Sequence, residues 1–315
     1  MTVTPATDGR PPVVAVEGLT KRYGSQVAVD GLSLDVPRGV VAGFIGPNGA
    51  GKTTTMAMLL GLVRPTSGTG TVLEFPLDQP TAYLDRVGAL VEGPAFWPGL
   101  TGIENLRVAA ELGGHDPGQI PELLGLVRLS GRGDDRFGQY SLGMKQRLGI
   151  AAALIGDPEL LVLDEPTNGL DPAGINEMRD LIAEISHDDR TVLVSSHLLS
   201  EVEQVCDWLI VIDHGALRYQ GPAEGFLAEV TPVLSLAPER PDDLDRLAAL
   251  VRTAGFDADQ DWAELTVRLD HDDPRAATVA LNKEAIGAGI VLAELHLQRP
   301  TLESHYLATV QGGDR

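Results

Sequence analysis

The chain carries a glycine-rich turn that ends in a lysine and three threonines. More than a hundred residues later, an apolar run ends in two carboxylates. The turn, Gly46-Pro47-Asn48-Gly49-Ala50-Gly51-Lys52-Thr53, fits the pattern GxxxxGK[ST]. Glycines let such a backbone curl until successive N–H groups point at one centre. The N-terminus of a following helix adds partial positive charge there, and the two together make a cradle for phosphate. Lys52 is placed to bridge the β and γ phosphates of a nucleotide, and the Thr53 hydroxyl to ligate Mg²⁺; the binding stretch extends through Thr54.

The carboxylates close Leu160-Leu-Val-Leu-Asp164-Glu165-Pro-Thr-Asn-Gly-Leu-Asp171. Unpaired charge at the end of a buried strand is costly. Catalysis accounts for it: Asp164 can face a Mg²⁺ shell while Glu165 polarises an attacking water. A third string, Tyr140-Ser141-Leu142-Gly143-Met144-Lys145-Gln146-Arg147, opens an apolar helix expected to run through Leu154. Ser141 is a good N-cap there. It could equally mark a second anion site at a helix N-terminus, and the residues alone leave both readings open.

These strings need a scaffold. From Val13 onward, short apolar runs, glycine-rich turns and helical stretches alternate, as in an α/β architecture. Val40 to Ile45, Leu160 to Leu163 and Thr191 to Ser195 are apolar on consecutive positions, which suits strands covered on both faces in a largely parallel sheet. The phosphate-loop string lies between the first of these strands and a helix expected to carry Met56, Leu59, Leu60 and Val63 on one face. From about Gly93 to Asp157 helical periodicity dominates, which predicts a helical insertion. After about Val230 the pattern restarts. A strand at Val233 to Leu236, a helix through Leu244 to Val251 with Gly255 at its end, a strand at Leu265 to Leu269, a helix near Pro274 to Ile286 and a strand at Ile290 to Leu297 predict a βαβαβ-like unit. No chemical motif falls in it.

The net charge of −21, from 45 acidic and 24 basic residues, repels nucleic-acid backbones, and no basic block offsets it. Nucleic acid is therefore not an expected partner. The single cysteine, Cys206, excludes an intramolecular disulfide and reads as core within EVEQVCDWLIVID. No stretch approaches the ~20 apolar residues of a membrane span. The N-terminal MTVTPATDGRPP lacks the basic and apolar regions of a signal peptide, and residues 1–12 read as a disordered leader.

The phosphate loop, the SLGMKQR helix start, LLVLDEPTNGLD and a later histidine, in this order and spacing, resemble the ATP-binding subunit of ABC transporters. The match runs from about Val13 to Val230 and is nearest to exporters of the bacitracin, lantibiotic and multidrug self-resistance type, which have a separately encoded permease. The resemblance implies an ABC ATPase core of the α/β class, its mainly parallel sheet having an antiparallel edge. It also implies a helical subdomain over about residues 93–157, and the restarted pattern beyond the match, over 231–315, is expected to form a small C-terminal α+β domain. It implies ATP and Mg²⁺ as ligands, a second nucleotide-binding subunit, most simply an identical copy, and an integral-membrane permease that holds the chain at the cytoplasmic face of the membrane.

Individual residues follow from the same resemblance. Tyr23, in KRYG, matches the aromatic that stacks on adenine. Glu92 stands where a glutamine usually touches Mg²⁺ or its water and senses the permease; a glutamate keeps an oxygen ligand but adds charge. Ser141 and Gly143 match the signature that closes on the γ-phosphate of the opposite subunit, with YSLGM in place of the usual LSGGQ. Asp171 matches the loop linking the two subunits, and His197, after TVLVSS, matches the histidine that contacts the γ-phosphate. Pro300 to Leu307 resembles a closing helix motif of these exporters. Two other readings compete: a soluble ABC ATPase acting on ribosomes or chromosomes, and an ATP-binding regulator that has lost hydrolysis. The first is disfavoured by the single cassette, the missing coiled coils and the acidity. The second is disfavoured by the intact Lys52, Asp164, Glu165 and His197.

Overall fold

A computed structural model describes residues 10–186, 190–197, 204–228, 231–269 and 273–298. The expected closing motif at Pro300 to Leu307, and all of the leader before residue 10, lie outside these. The chain divides into two compact units, one running to Glu224 and the other starting at Gly225.

The first unit opens with β1 (Val14–Tyr23) and β2 (Gln26–Val36), followed by β3 (Val41–Ile45) and α1 (Lys52–Leu59). Next come β4 (Ser67–Val72), β5 (Phe75–Pro76) and β6 (Val87–Leu90). A helical stretch follows, with α2 (Gly102–Gly113), α3 (Ile120–Leu126) and α4 (Leu142–Ala153). β7 (Leu160–Asp164), α5 (Pro172–Ile185), β8 (Thr191–Ser196), β9 (Trp208–Asp213) and β10 (Ala216–Pro222) complete the layers, and α6 (Ala223–Ala228) straddles the division.

The main sheet runs β10-β9-β3-β8-β7-β6. β3, β6, β7, β8 and β9 are parallel, and only β10 is antiparallel, at the edge. Every residue of β3, β7 and β8 is buried, as two-sided cover of a parallel strand demands. A second, antiparallel sheet runs β2-β1-β4-β5. One core joins both sheets to α1, with Leu19, Val36, Phe44, Met56 and Ile210 among its members. The fold is thus α/β, with an antiparallel edge and a strand-free helical stretch between β6 and β7.

α1 is shorter than its apolar pattern predicts. The helix ends at Leu59, and Gly61, at φ +68°, turns the chain out. The Gly61 N–H donates to the Met58 carbonyl at 3.1 Å and the Leu62 N–H to that of Ala57 at 2.9 Å, the paired bonds that finish a helix on a left-handed glycine. Val63 therefore packs on the core from outside the helix. The buried Tyr83 hydroxyl donates to the Leu59 carbonyl at 2.9 Å, and burial pushes its pKa up to about 12.

The second unit contains β11 (Val233–Pro238), α7 (Leu244–Thr253), β12 (Ala258–Gln260), β13 (Leu265–Arg268), α8 (Pro274–Gly287) and β14 (Leu292–Gln298). Its sheet, β12-β13-β11-β14, is wholly antiparallel. The expected βαβαβ order is therefore corrected to β-α-β-β-α-β, because β12 and β13 form a hairpin closed by the Asp261 N–H donating to the Glu264 carbonyl. Gly255 lies just past the cap of α7, at φ +89°. Leu234, Leu236, Leu247, Val251, Leu265, Val267 and Leu281 form a core of the unit's own.

Candidate functional site

The C-terminal ends of β3, β7 and β8 lie side by side. In register, Phe44 pairs with Ser195 and Asp164 pairs with the same Ser195, so β8 stands between the strand that leads into the glycine turn and the strand that ends in the carboxylates. Open α/β sheets bind ligands at this end.

The turn after β3 curls as its composition requires. Gly49 and Gly51 adopt φ +83° and +103°, conformations that favour glycine. A Cβ on Gly51 would stand 2.4 Å from the Ala28 carbonyl oxygen, and one on Gly46 2.5 Å from that of Ile212. The loop is pinned from behind: the Gly215 N–H, in the β9–β10 turn, donates to the Ala50 carbonyl at 3.1 Å. Pro47 and Asn48 lie exposed at the tip, and Ala50, Gly51 and Lys52 are buried. The Lys52 ammonium folds back to donate to the carbonyls of Gly46 at 2.8 Å and Pro47 at 3.3 Å.

The carboxylates face this loop. The Thr53 hydroxyl donates to Asp164 Oδ2 at 2.8 Å, and Ser195 Oγ donates to Asp164 Oδ1. Ser195 also accepts the Glu165 N–H at 2.9 Å, which holds Glu165 at φ +47°, an uncommon conformation for a side-chain-bearing residue. The Glu165 carboxylate lies between two nitrogens, Lys52 Nζ at 3.5 Å and His197 Nδ1 at 3.4 Å. One constellation thus contains a cation, a buried carboxylate with a hydroxyl beside it, a second carboxylate and an imidazole. Thr53 and Asp164 are hard oxygens of the kind that suits a small divalent cation.

Two depressions meet at this point. One is lined by Tyr23, Gln26, Ala28, Asn48, Gly49, Gly51, Lys52, Thr53, Thr54 and Glu165, so the aromatic and the loop share a surface. Tyr23 is half exposed, with Lys21 Nζ 4.9 Å from its ring centre. The other is lined by Thr53, Glu92, Asp164, Glu165 and Asn168, and by Leu142, Lys145 and Gln146 of α4. Glu92 sits in the bend after β6, at φ +59°.

Ser141 and Asp171 serve as helix caps. Ser141 Oγ accepts the Met144 N–H at 3.3 Å at the start of α4, and Asp171 Oδ1 accepts the Gly174 N–H at 2.8 Å at the start of α5. Neither residue, nor Gly143, lines the two depressions within one chain. Sequence reasoning missed Ser195, Gln26, Asn168 and Gln146. Of these Ser195 was within reach, a hydroxyl at the end of an all-buried strand two residues before His197. Cys206 is buried, and burial pushes its thiol pKa upward, as does neighbouring Asp207, in keeping with a core role.

Comparison with known proteins gives one family. A model described as "ABC transporter" matches residues 29–168. The chain is 48% identical over 213 residues, 67% of its length and 70% of the relative's, to the bacitracin transport ATP-binding protein BcrA of Bacillus licheniformis. It is 36% identical over 304 residues, 95% of its length and 97% of the relative's, to the uncharacterized ABC transporter ATP-binding protein YcbN of Bacillus subtilis. A solved ATP-binding subunit of an ABC transporter superposes with a TM-score of 0.62 at 30% identity, covering 69% of this chain and 92% of that one.

Proposed function

The chain belongs to the ABC transporter family as an ATP-binding, ATP-hydrolysing subunit, and from that premise we propose how its residues divide the work. The observation that carries the proposal is the meeting of Lys52, Thr53, Asp164, Glu165 and His197 at the ends of three adjacent strands.

Lys52 and the backbone N–H groups of Gly49 to Thr54 hold the phosphates, and Lys52 exchanges its carbonyl partners for the β and γ oxygens. Thr53 and Asp164 hold Mg²⁺, with Glu92 at the edge of the same depression; the ion supplies charge neutralisation to the phosphates when bound. Glu165 accepts a proton from the attacking water, and His197 orients Glu165 and contacts the γ-phosphate. Tyr23 stacks on the adenine ring.

One chain lines only part of the phosphate cage. Ser141 and Gly143, outside its own depressions, serve a second copy, and Asp171 lies at the contact between the two. ATP then favours the closed pair because it touches both copies, and hydrolysis removes the bridging phosphate. No helix of the described residues is long and apolar enough to cross a membrane. A permease supplies the span, a reading that the similarity to a bacitracin transport ATP-binding protein supports; it holds the chain at the membrane's cytoplasmic face and is driven through the stretch near Glu92 to Thr101. The similarity to BcrA supports antibiotic or peptide export as the transport.

The test is a Glu165→Gln variant, followed by size-exclusion chromatography with light scattering. Binding should survive and hydrolysis should stop, so that Mg-ATP converts a monomer into a dimer. A variant that binds Mg-ATP and stays monomeric overturns the shared-cage reading.

A further inference from the structure

α4 turns one face to the depression that holds the carboxylates. Leu142, Lys145, Gln146 and Gly149 recur at i, i+3, i+4 and i+7, the spacing of one helical face. Gly149 brings that face against the end of β6: a Cβ there would stand 2.9 Å from Leu90 Cδ1 and 3.2 Å from Pro94 Cβ. Gln146, one turn earlier, lines the depression together with Glu92, Gly93, Pro94 and Ala95.

Gln146 is only 7% exposed, and its Oε1 is fully buried with no hydrogen-bond partner. A buried amide oxygen without a donor is costly, and such a group in a native fold calls for an explanation. Across the depression the bend offers donors. Among the described residues, the backbone N–H groups of Gly93, Ala95 and Phe96 donate to nothing, and Pro94 has no N–H. The residue whose amide oxygen lacks a donor thus lines one depression with Gly93 and Ala95, whose N–H groups lack an acceptor.

We propose that Gln146 is a positioning residue that latches the Glu92–Phe96 bend to α4 when the site is loaded. Its Oε1 accepts an N–H of the bend, and this fixes Glu92 beside Thr53 and Asp164. The latch joins the bend to the helix that Ser141 caps, so the state of the nucleotide and the position of α4 become one variable. This inference rests on the nucleotide reading given above.

The test is amide hydrogen exchange at residues 93–96 of the whole chain, with and without Mg-ATP, in the Glu165→Gln background that stops turnover. Binding is measured in parallel with a fluorescent ATP analogue. The unvaried latch should slow exchange of these amides roughly tenfold on binding. Gln146→Met and Gln146→Leu remove the acceptor at similar size, and either that folds by circular dichroism should lose the slowing and bind the analogue up to about tenfold more weakly, the reciprocal of the latch's response to nucleotide. Gln146→Glu, which keeps an acceptor oxygen, should restore it. Retained slowing in the Met or Leu variant overturns the latch, as does failure of the Glu variant to restore it. A parent chain that binds nucleotide without slowing also overturns the latch alone. A parent chain that binds no nucleotide overturns the reading of the site, and the latch with it.

Discussion

The hydroxyl of Ser195, at the end of β8, donates to the carboxylate of Asp164, at the end of the neighbouring strand β7. The same oxygen accepts the Glu165 N–H, so one uncharged side chain fixes both acids of the site.

Ser195→Ala should therefore act on stability and turnover together. Asp164 loses one of its two hydroxyl partners, at a cost of roughly 1–3 kcal/mol in denaturant unfolding. Glu165 loses the anchor of its left-handed backbone, and kcat for ATP should fall roughly ten- to a hundredfold, with KM changed little. Steady-state ATPase assays and urea titrations check the two arms. An unchanged kcat would remove Ser195 from the site.

Two glycines of the loop, Gly49 and Gly51, should differ in their tolerance of a methyl group. At Gly51 a Cβ meets the Ala28 carbonyl at 2.4 Å and φ is +103°, so Gly51→Ala must shift the loop and should abolish detectable nucleotide binding. At Gly49 no atom lies within 4 Å of the added Cβ, so Gly49→Ala carries only the left-handed penalty of about 1–2 kcal/mol. Fluorescent-nucleotide titration of both variants checks the order.

Cys206 should resist alkylation. The thiolate is the reactive form, and burial pushes the thiol pKa up. Iodoacetamide labelling of the native chain at pH 8 should be slower than in denaturant by at least about a hundredfold. Fast native labelling, followed by mass spectrometry, would contradict the buried position.

Glu159 joins Arg86 and Arg38, and the hydrogen bond from Arg86 holds its carboxyl below the ordinary value, with further help from the charges of both arginines. A lowered folded pKa stabilises the fold above the unfolded pKa, near 4.3, and that contribution fades as pH falls through the folded value. The carboxylate is 43% exposed, so screening limits the gain to at most about 1 kcal/mol. The difference in unfolding free energy between the parent chain and Glu159→Gln should be largest at pH 7 and shrink towards pH 4.

Much of the site was legible because its parts are contiguous strings. Gly46 to Thr53 and Asp164-Glu165 declare both their chemistry and the strand each follows. What stayed hidden depends on neighbours across the sheet. Ser195 matters because β8 lies between β3 and β7, Gly215 because its turn backs the loop, and Gln146 because α4 lies against the end of β6. In the second unit β12 escaped notice because Ala258-Asp259-Gln260 is short, polar and poor in strand formers; only its pairing with β13 makes it a strand. The end of α1 is not legible in the apolar spacing, which continues past Gly61, where backbone bonds to Ala57 and Met58 close the helix instead.

The strand order also has a temporal side. β3 is flanked by β8 and β9, and Val41 finds its partner Val192 only after some 150 further residues have left the ribosome. At roughly 5–20 residues per second this takes about 8–30 s. During that interval the all-apolar VAGFI segment has neither neighbour. The nascent chain thus presents a sticky, unpaired edge just upstream of its phosphate loop, and the loop gains its Gly215 support last. Until the second half of the sheet arrives, the backbone groups of that segment are without the strands that will pair with them.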